Sequence, residues 1–528
     1  MVVQRAGCVG IHLVESFENL DDTRFAFGNV LGFRYKLRRC RGRGLFCHTE
    51  NIIVSRPKLL LLGAAFAAYG PSLLGSFHFD DYSIFTGDVL RTLATRPLTA
   101  LTFWFSRSLG DRNPFDYHAI DLALHFIAVL LLYDVLRQLA SERAAFIGSL
   151  IFAVHPIQSE AVNYVFARAT ELDTVLCLAA LLFWIRGRPW MSVVWFAAAL
   201  AAKEECVTFP LALYMFDRWV LKTKPRLGPI VVMLLLAFAS GIGVYVAVLH
   251  TPGAPAGPQA GISAANYFLA QGPVILRYLR LLIMPWGFNV DPEITFPPLW
   301  LGLGAWLLLI GMLVLAWRRI AISRAAVWFI AGIVLLLPSS SIFPVEDLAA
   351  DRRMYLPMIA FAAFVGILLE HARPAVIGAI AVVLIGLSVE RSLVWRTEQS
   401  LWTDAVEKSP GKLRPKVQLA RVSEPQRALE LLQQARSLAP NDLRIPTEIG
   451  RVYLSTGDAA KALSEFGRAL ALDPNNAEAL NNRGAALLAL GQTAAARSDF
   501  ERALKIDPCQ PDARANLARL GVHTPGCE

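Results

Sequence analysis

Two adjacent carboxylates, Asp80 and Asp81, stand in the stretch FHFDDYSIF, directly after an apolar run over residues 59–76. Acid groups can accept a proton from a substrate or bind a metal ion, which would make this pair the reactive centre of an enzyme. The same pair is also an ordinary polar stop at the end of a membrane helix. These residues by themselves leave both interpretations open.

Three further groups of ionisable residues end or interrupt later apolar runs. Charged groups at membrane depth are costly, and they usually face a protein interior or an aqueous cavity. Acids found together with Lys and Arg predict a site for an anionic substrate, in which the basic groups hold a phosphate. The groups lie in HPIQSEAVNYVFARATEL (155–172), AKEECVTFP (202–210) and FPVEDLAADRRMYLP (343–357), with the candidates His155, Glu160, Arg168, Glu171, Lys203, Glu204, Glu205, Glu346, Asp347, Asp351, Arg352, Arg353 and Tyr355.

Each group also has a structural explanation. His155 precedes a proline and could simply cap a helix break. Glu160 and Arg168 are eight residues apart on an expected helix, so they could share one face and join an ion-pair network. Lys203 could extend along the protein surface to the membrane interface. His118 and His125 are seven residues apart and share a helix face, and both are interpreted as interhelical hydrogen-bonding residues ahead of catalytic ones.

Membrane helices are the elements that must position these residues. The chain has 528 residues, of which 55% are hydrophobic and 18% charged, and its mean hydropathy is +0.45. Repeated apolar runs from residue 59 to 390 predict many spanning helices, whereas 395–528 is typical of soluble protein. The net charge of +9 does not indicate nucleic-acid binding, because Lys and Arg lie mainly in the N-terminal segment and in short loops.

Alternating the apolar runs across the membrane, with the N-terminus inside, predicts about eleven crossings. Nearly every short loop rich in Lys or Arg then falls inside, while the polar groups and the C-terminal tail fall outside. Residues 266–286 contain Arg277 and Arg280 and are predicted to form an interfacial or re-entrant helix. In this threading Arg352 and Arg353 lie outside, against the positive-inside rule, and the binding of an anion there explains that departure.

The N-terminal residues 1–56 are predicted to be a disordered, basic, cytoplasmic tail without a signal peptide. The seven cysteines show no metal-ligand spacing. Cys509 and Cys527 could pair only if the C-terminal tail lies in an oxidising compartment. No cofactor or metal site is predicted, although an acidic pair leaves a divalent metal open.

The C-terminal tail is a repeat array with a period of 34 residues, which matches the tetratricopeptide (TPR) pattern of two interlocking antiparallel helices. A degenerate unit at 426–441 precedes the two clear repeats. The array is predicted to form an α-solenoid over 426–520, joined through a connector at 393–425 to a membrane domain at 57–392. Peptide binding in its groove and a role as an assembly spacer both stay open. The recurring pairs are Gly450 and Gly484, Phe466 and Phe500, and Pro474 and Pro508.

The FDDY motif is followed in order by the three later motifs, Trp395, Trp402 and the TPR repeats. This series resembles the transmembrane-and-TPR family of protein O-mannosyltransferase-like glycosyltransferases of the GT-C class. The resemblance covers about residues 57–510. It implies an all-α polytopic membrane bundle with a TPR solenoid. It further implies transfer of a sugar, mannose among the candidates, from a polyprenyl-phosphate carrier to a protein Ser or Thr hydroxyl on the extracytoplasmic face, with inversion.

The resemblance also implies roles for residues. Asp80 or Asp81 would be the general base, and Arg352, Arg353 and Lys203 would bind the donor phosphate. The second acid after Lys203, Glu205, departs from the family's pattern. The cavity would be lined by His155, Glu160, Arg168, Glu204, Asp351 and Tyr355.

Two other functions compete with this one. The chain could be a non-catalytic, membrane-anchored TPR scaffold, in which the charged motifs hold helices together. It could also transport a lipid-linked anion, although a transporter should show an internal duplication that the sequence lacks. The expected partners are the polyprenyl-phosphate-linked sugar, membrane lipid, and a protein acceptor or partner in the TPR groove.

Overall fold

A computed structural model shows an almost entirely helical chain. It describes residues 38–39, 46–47, 55–85, 95–250, 256–257, 261–340 and 343–524. The chain divides into two compact units. Unit 1 comprises Met1–Phe288 and Thr295–Trp395, and unit 2 comprises Asn289–Ile294 and Arg396–Glu528.

Unit 1 consists of helices separated by short turns. The polar groups predicted from the sequence all fall on or beside these turns, because charged and polar residues end the regular apolar helices. The helices are α1 Arg56–Tyr69, α2 Pro97–Gly110, α3 Pro114–Leu139, α4 Glu142–Val154, α5 Ser159–Asn163, α6 Arg168–Ile185, α7 Pro189–Ala202, α8 Phe209–Met215, α9 Leu227–Leu249, α10 Ala264–Ile283, α11 Leu299–Arg319, α12 Arg324–Leu336, α13 Tyr355–Leu368 and α14 Pro374–Val394. The turns are 3-10 helical at Gly70–Leu74, Phe79–Phe85, Pro156–Gln158, Val165–Ala167, Glu204–Thr208 and Asp351–Met354, and π-helical at Phe216–Val220.

Several of these helices are long and apolar enough to cross a membrane. In the described ranges there are five, or six if the pair α4 and Pro156–Asn163, bent by 48°, counts as one span. The other expected crossings fall on shorter helices such as α7 and α12, so the number of about eleven stays a prediction. The predicted fold class, an all-α membrane bundle followed by an α-solenoid, is confirmed. The five are Arg56–Leu74, Pro114–Leu139, Leu227–Leu249, Leu299–Arg319 and Pro374–Val394.

The helix ends of unit 1 meet in two layers. In one, which we call the basic layer, Lys58 at the start of α1 pairs with Asp134 near the end of α3 at 2.7 Å. Arg324 at the start of α12 donates to the carbonyl of Leu139, also at the end of α3, at 3.1 Å. The turns that carry the predicted polar groups meet in the other layer, which we call the site layer. The threading predicts such an alternation, and the side of the membrane on which each layer lies stays a prediction.

Few of the N-terminal residues are described. Arg38–Arg39 and Phe46–Cys47 form two short antiparallel strands, β1 and β2. The predictions for the tail 1–56 otherwise lie outside the described residues, as does the Cys527 half of the expected pair with Cys509.

Unit 2 is a stack of paired helices. A Cβ atom at Gly450 would lie 2.6 Å from the ring of Phe466, and one at Gly484 would lie 2.6 Å from the ring of Phe500. The small and large residues of each repeat therefore interlock, as the spacing predicts. The helices are α15 Glu398–Lys408, α16 Leu413–Arg421, α17 Pro425–Leu438, α18 Arg444–Ser455, α19 Ala459–Leu472, α20 Ala477–Ala489, α21 Thr493–Ile506 and α22 Pro511–Arg519, of which α15 and α16 lie in the predicted connector.

The segment Asn289–Ile294, which lies between α10 and α11 in the chain, also belongs to unit 2. The Asn289 amide donates to the buried Ser409 hydroxyl at 2.7 Å. Lys412 forms an ion pair with Asp291, which is itself buried. Because a buried charge is stable only with a partner, this pair fixes the segment on the turn between α15 and α16.

Candidate active site

Asp80 and Asp81 lie in one 3-10 turn but meet different surroundings. Asp81 is fully buried, and its two oxygens accept hydrogen bonds from the backbone N–H of His78 at 2.9 Å and of Phe166 at 2.7 Å. Asp80 is exposed, and its Oδ2 accepts from the Tyr164 hydroxyl at 2.7 Å. Of the two, Asp80 is therefore the carboxylate that an external substrate can reach.

Burial also separates the two acids chemically. It raises the pKa of the Asp81 carboxyl well above its ordinary range, despite the two backbone hydrogen bonds. His78, which begins the turn, donates from Nε2 to the carbonyl of Trp395 at 2.6 Å. Burial lowers the pKa of His78 to about 4, so the ring is neutral at pH 7. Asp81 and His78 thus hold the turn in place and present Asp80.

Arg352 reaches the same place from a turn far along the chain. Its guanidinium carbon lies 5.9 Å from the centroid of the Tyr164 ring. Its backbone N–H donates to Glu160 Oε2 at 3.0 Å, and its guanidinium forms an ion pair with Glu160 Oε1 and a longer one, at 3.9 Å, with Asp347. The structure therefore brings Asp80, Glu160 and Arg352 together around Tyr164.

Arg353 does not converge on this place with Arg352. It is buried and donates to backbone carbonyls of the loop before it, among them that of Leu348 at 3.2 Å. Asp351 forms an ion pair with Arg277 of α10 at 2.6 Å. Arg353 and the Asp351 pair therefore fix the loop from which Arg352 projects.

Lys203 and Glu204 lie at the turn after α7. The Lys203 ammonium donates to the Thr170 hydroxyl at 2.6 Å and pairs with Glu205 at 3.0 Å. Glu204 accepts two hydrogen bonds from Arg96, at 2.7 and 3.2 Å. Burial alone would raise the pKa of Glu204, but the Arg96 guanidinium overcomes it and lowers that pKa to about 2. Glu204 is therefore an ionised partner of Arg96.

Arg168 is fully buried inside the bundle. Its guanidinium pairs with Asp121 at 2.5 Å and donates to the Ser106 hydroxyl at 2.7 Å and the Tyr117 carbonyl at 2.9 Å. It also lies 4.7 Å from the ring centroid of Phe103. These contacts give Arg168 a packing role between α2, α3 and α6.

The segment that contains Glu160 and Arg168 is not one helix. Helix α5 ends at Asn163, Tyr164 is extended with φ −107° and ψ 109°, and a 3-10 turn precedes α6. The expectation that Glu160 and Arg168 share one helix face is therefore wrong, because the break at Tyr164 sends the two side chains to different partners.

His155 and Tyr355 are both buried. His155 stands at the bend after α4, where its Nδ1 accepts from the Ile157 N–H at 3.1 Å and its Nε2 donates to the Leu282 carbonyl at 3.3 Å. The Tyr355 hydroxyl donates to Nδ1 of His125 at 2.8 Å. His155 therefore caps a helix break, and His125 joins α3 to α13 as an interhelical hydrogen-bonding residue.

Sequence reasoning missed Tyr164, Arg96 and Arg277 as members of the site layer. Tyr164 lies inside a quoted motif, but its contact with Asp80 depends on a break in the helix that hydropathy does not reveal. For Arg96 and Arg277 the available signal was a charged residue within or beside an apolar stretch. In the described part of the chain, no three His, Cys, Asp or Glu side chains are arranged to hold a metal ion.

Known proteins resemble both parts of the chain in sequence. Residues 447–511 match the model of the tetratricopeptide repeat family. Protein O-mannosyl-transferase TMTC3 of Homo sapiens is 24% identical over 75% of this chain and 52% of its own length. Protein O-mannosyl-transferase F38B6.6 of Caenorhabditis elegans is 25% identical over 67% of this chain and 58% of its own length. The chain is a relative of these protein O-mannosyl-transferases.

The resemblance inferred from the sequence motifs is thereby confirmed, and with its long apolar helices the chain is an integral membrane protein. The relationship is stronger over one part, where Protein O-mannosyl-transferase TMTC1 of Homo sapiens is 34% identical over 24% of this chain. The chain spans about half the length of the curated relatives it matches. Among solved structures, ArnT from Cupriavidus metallidurans aligns over 84% of this chain and 79% of its own, at 13% identity and a TM-score of 0.38.

Proposed function

We propose that the chain is a membrane glycosyltransferase that moves a sugar from a polyprenyl-phosphate carrier to a Ser or Thr hydroxyl of a protein. The observation that carries the proposal is the meeting of an exposed carboxylate, Asp80, and a guanidinium, Arg352, at one tyrosine of the site layer, the first at its hydroxyl and the second beside its ring. The names of the relatives make mannose the first sugar to test and a protein the first acceptor.

Asp80 is the general base of the proposed reaction. Its carboxylate accepts the proton of the acceptor hydroxyl while that oxygen bonds to the anomeric carbon of the sugar. The bond from this carbon to the phosphate oxygen breaks, and polyprenyl phosphate leaves with the bonding electrons. A single displacement of this kind inverts the anomeric centre. Asp80 then releases its proton to water, since the side chain is exposed.

Arg352 stabilises the negative charge that develops on the leaving phosphate. Its side chain is 26% exposed, and Glu160 holds it through both its backbone N–H and one guanidinium nitrogen. Its other terminal nitrogen makes only a longer contact, 3.9 Å, with Asp347, so it can turn to a phosphate oxygen. Lys203, on another turn of the site layer, is the second cation for the donor, while Arg353 supports the loop of Arg352.

The site layer faces the extracytoplasmic side in this proposal, and the N-terminus faces the cytoplasm. The support is the clustering of Lys and Arg at the opposite, basic layer, as the positive-inside rule requires. Segment Asn289–Ile294, between α10 and α11, belongs to the same unit as the TPR repeats, so the repeats and this loop share one side. There the repeats would hold the protein acceptor or a partner.

The test is mass spectrometry of extracytoplasmic glycopeptides from cells that carry the parent protein, Asp80→Asn or the control Asp111→Asn. Asp111 is an acid in the turn between α2 and α3, and its side chain is 73% exposed in a surface pair with Arg107. Asp80→Asn should abolish the glycopeptides at normal membrane abundance, and Asp111→Asn should leave them unchanged.

Two results would contradict the proposal. Glycopeptides that persist with Asp80→Asn would remove Asp80 as the base. An unchanged glycopeptide set in cells that lack the protein altogether would remove the protein acceptor and favour the scaffold function.

A further inference from the structure

Tyr164 is buried at the centre of the site layer, although its hydroxyl serves an exposed acid. The side chain is 1% exposed and occupies the extended break between α5 and the turn Val165–Ala167. Its backbone N–H still donates to the Glu160 carbonyl at 3.2 Å, and its hydroxyl donates to Asp80 Oδ2 at 2.7 Å. The break therefore turns this one side chain out of the helix and towards the acid.

The ring of Tyr164 is held on several sides. It lies 4.6 Å from the ring of Phe79 and stacks on Trp395 at 5.8 Å with an angle of 27° between the planes. Trp395 is itself fixed, because its carbonyl accepts from His78 and its ring meets the His78 ring edge-on at 5.5 Å. A ring packed in this way cannot swing, so the position of its hydroxyl is set before a substrate arrives.

Tyr164 contacts an acid through its hydroxyl and a guanidinium through its ring, and this has an electrostatic consequence. If Asp80 paired directly with Arg352, each would neutralise the other, and neither the base nor the phosphate-binding cation would be available to substrates. Instead the Tyr164 hydroxyl gives Asp80 a neutral donor, the Tyr164 ring lies beside the Arg352 guanidinium, and Arg352 takes Glu160 as its counter-ion. A neutral donor orients a carboxylate without cancelling its charge, and it leaves the other oxygen for the acceptor hydroxyl.

We propose that Tyr164 is a positioning residue that orients the Asp80 carboxylate and keeps it apart from Arg352, with Trp395 as its support. The inference rests on the proposed function, in which Asp80 is the base. Tyr164 touches neither reacting atom. It acts through Asp80, and its loss should therefore change the properties of that carboxylate rather than the affinity for the donor.

The experiment uses Tyr164→Phe in the full-length protein, with Tyr82→Phe as the matched control. Phenylalanine keeps the stack on Trp395 and removes only the hydroxyl. Tyr82 stands in the same turn as Asp80, is 50% exposed and directs its hydroxyl to the Phe77 carbonyl at 3.4 Å. Tyr82→Phe should leave transfer unchanged.

Tyr164→Phe should lower kcat about tenfold, which is the order expected for one hydrogen bond to a charged group, while KM for the polyprenyl-phosphate sugar stays unchanged. A rise in KM alone, or an unchanged kcat, would overturn the inference.

A second readout does not depend on transfer. The infrared stretching band of the Asp80 carboxylate can be isolated as the difference between the parent protein and Asp80→Asn. Loss of the hydrogen bond from Tyr164 should shift the frequency of this band in Tyr164→Phe, and an unmoved band would overturn the inference. If Asp80→Asn transfers sugar normally while the band still shifts, the proposed base is wrong and the contact between Tyr164 and Asp80 stands.

Discussion

At the scale of residues, Asp80 and Asp81 are chain neighbours with opposite surroundings. The 3-10 turn directs the Asp81 side chain inward to two backbone N–H groups and leaves Asp80 at the surface beside Tyr164. A buried carboxyl that satisfies backbone donors stabilises the turn, whereas an exposed one can exchange a proton with a substrate. Substitution of Asp81 should therefore lower stability, whereas substitution of Asp80 should affect proton exchange with a substrate.

We expect Asp81→Asn to destabilise the protein, and Asp80→Asn to leave its stability unchanged. Asparagine has one acceptor oxygen where Asp81 has two, so the N–H of His78 or Phe166 would lose its buried partner, at a cost of about 1–3 kcal/mol. Thermal unfolding of the detergent-solubilised variants would measure the difference. Equal unfolding temperatures for both variants would contradict the structural role of Asp81.

His78 should make the stability of the site layer depend on pH. Burial lowers its pKa to about 4 from an ordinary value of about 6.5, so the unfolded chain binds the proton first as pH falls. The stabilisation is complete above about pH 6.5 and is lost as pH falls towards 4, by roughly 3 kcal/mol if the site stays folded.

The measurement compares unfolding temperatures from pH 7 to 4 for the parent, His78→Gln and the control His371→Gln. Glutamine can still donate to the Trp395 carbonyl but does not titrate. The neighbours Asp81 and His118 are present in every sample, so the difference between variant and parent reports His78. His371 is 94% exposed, and its variant should keep the parental pH dependence. A parental pH dependence in His78→Gln would contradict the prediction.

At the scale of elements, breaks and close crossings place the site. The break at Tyr164 allows Glu160 and Tyr164 to reach Asp80 and Arg352 from one segment. Helices α4 and α13 cross where a Cβ atom at Gly366 would lie 2.5 Å from the Ala144 carbonyl oxygen. Such a crossing needs glycine, and it brings together two helices that end or begin at site-layer turns.

The repeats of unit 2 offer a matched pair of glycines in one helix pair. A Cβ atom at Gly450 would lie 2.6 Å from the Phe466 ring, whereas one at Gly467, in α19, meets no atom within 4 Å. Gly450→Ala should therefore destabilise unit 2 by about 1–3 kcal/mol through overpacking. Gly467→Ala should stabilise it by up to about 1 kcal/mol, since alanine favours the helix.

Thermal unfolding of the full-length variants, followed by helical circular dichroism and by proteolysis of the repeats, would measure both effects. An equal response of unit 2 to the two substitutions would contradict the interlock between Gly450 and Phe466.

At the scale of the whole molecule, the two layers of unit 1 give the chain a direction across the membrane. The basic layer joins the start of α1 and α12 to the end of α3, and the site layer joins the opposite ends of these and other helices. Because the two layers lie at opposite ends of these helices, locating one turn on a known side of the membrane orients all the polar groups together.

Epitopes inserted into exposed turns would test the orientation in intact cells. An epitope after Arg112, in the loop before α3, and one after Gln492, between α20 and α21, should bind antibody without permeabilisation. An epitope after Arg188, in the turn between α6 and α7, should bind only after permeabilisation. Antibody binding to the Arg188 epitope in intact cells would reverse the proposed orientation.

The sequence by itself determined the fold class and the four polar groups. Apolar runs, the period of 34 residues and the Gly450–Phe466 spacing are local signals, and the helices and the interlocking repeats follow from them. Hydropathy did not fix the number of crossings. Apolar helices as short as α7 and α12 can be either short spans or buried helices.

The tertiary structure alone decided which members of each group meet. Asp80 is separated from Tyr164 by 84 positions, and Glu160 from Arg352 by 192. Such contacts depend on where helices break and how closely they cross, and neither is recorded in the type of a single residue. For the same reason Arg168, chosen from its charge, lies buried in the bundle, and Tyr164, which has no charge to draw notice, contacts both the proposed base and the proposed phosphate ligand.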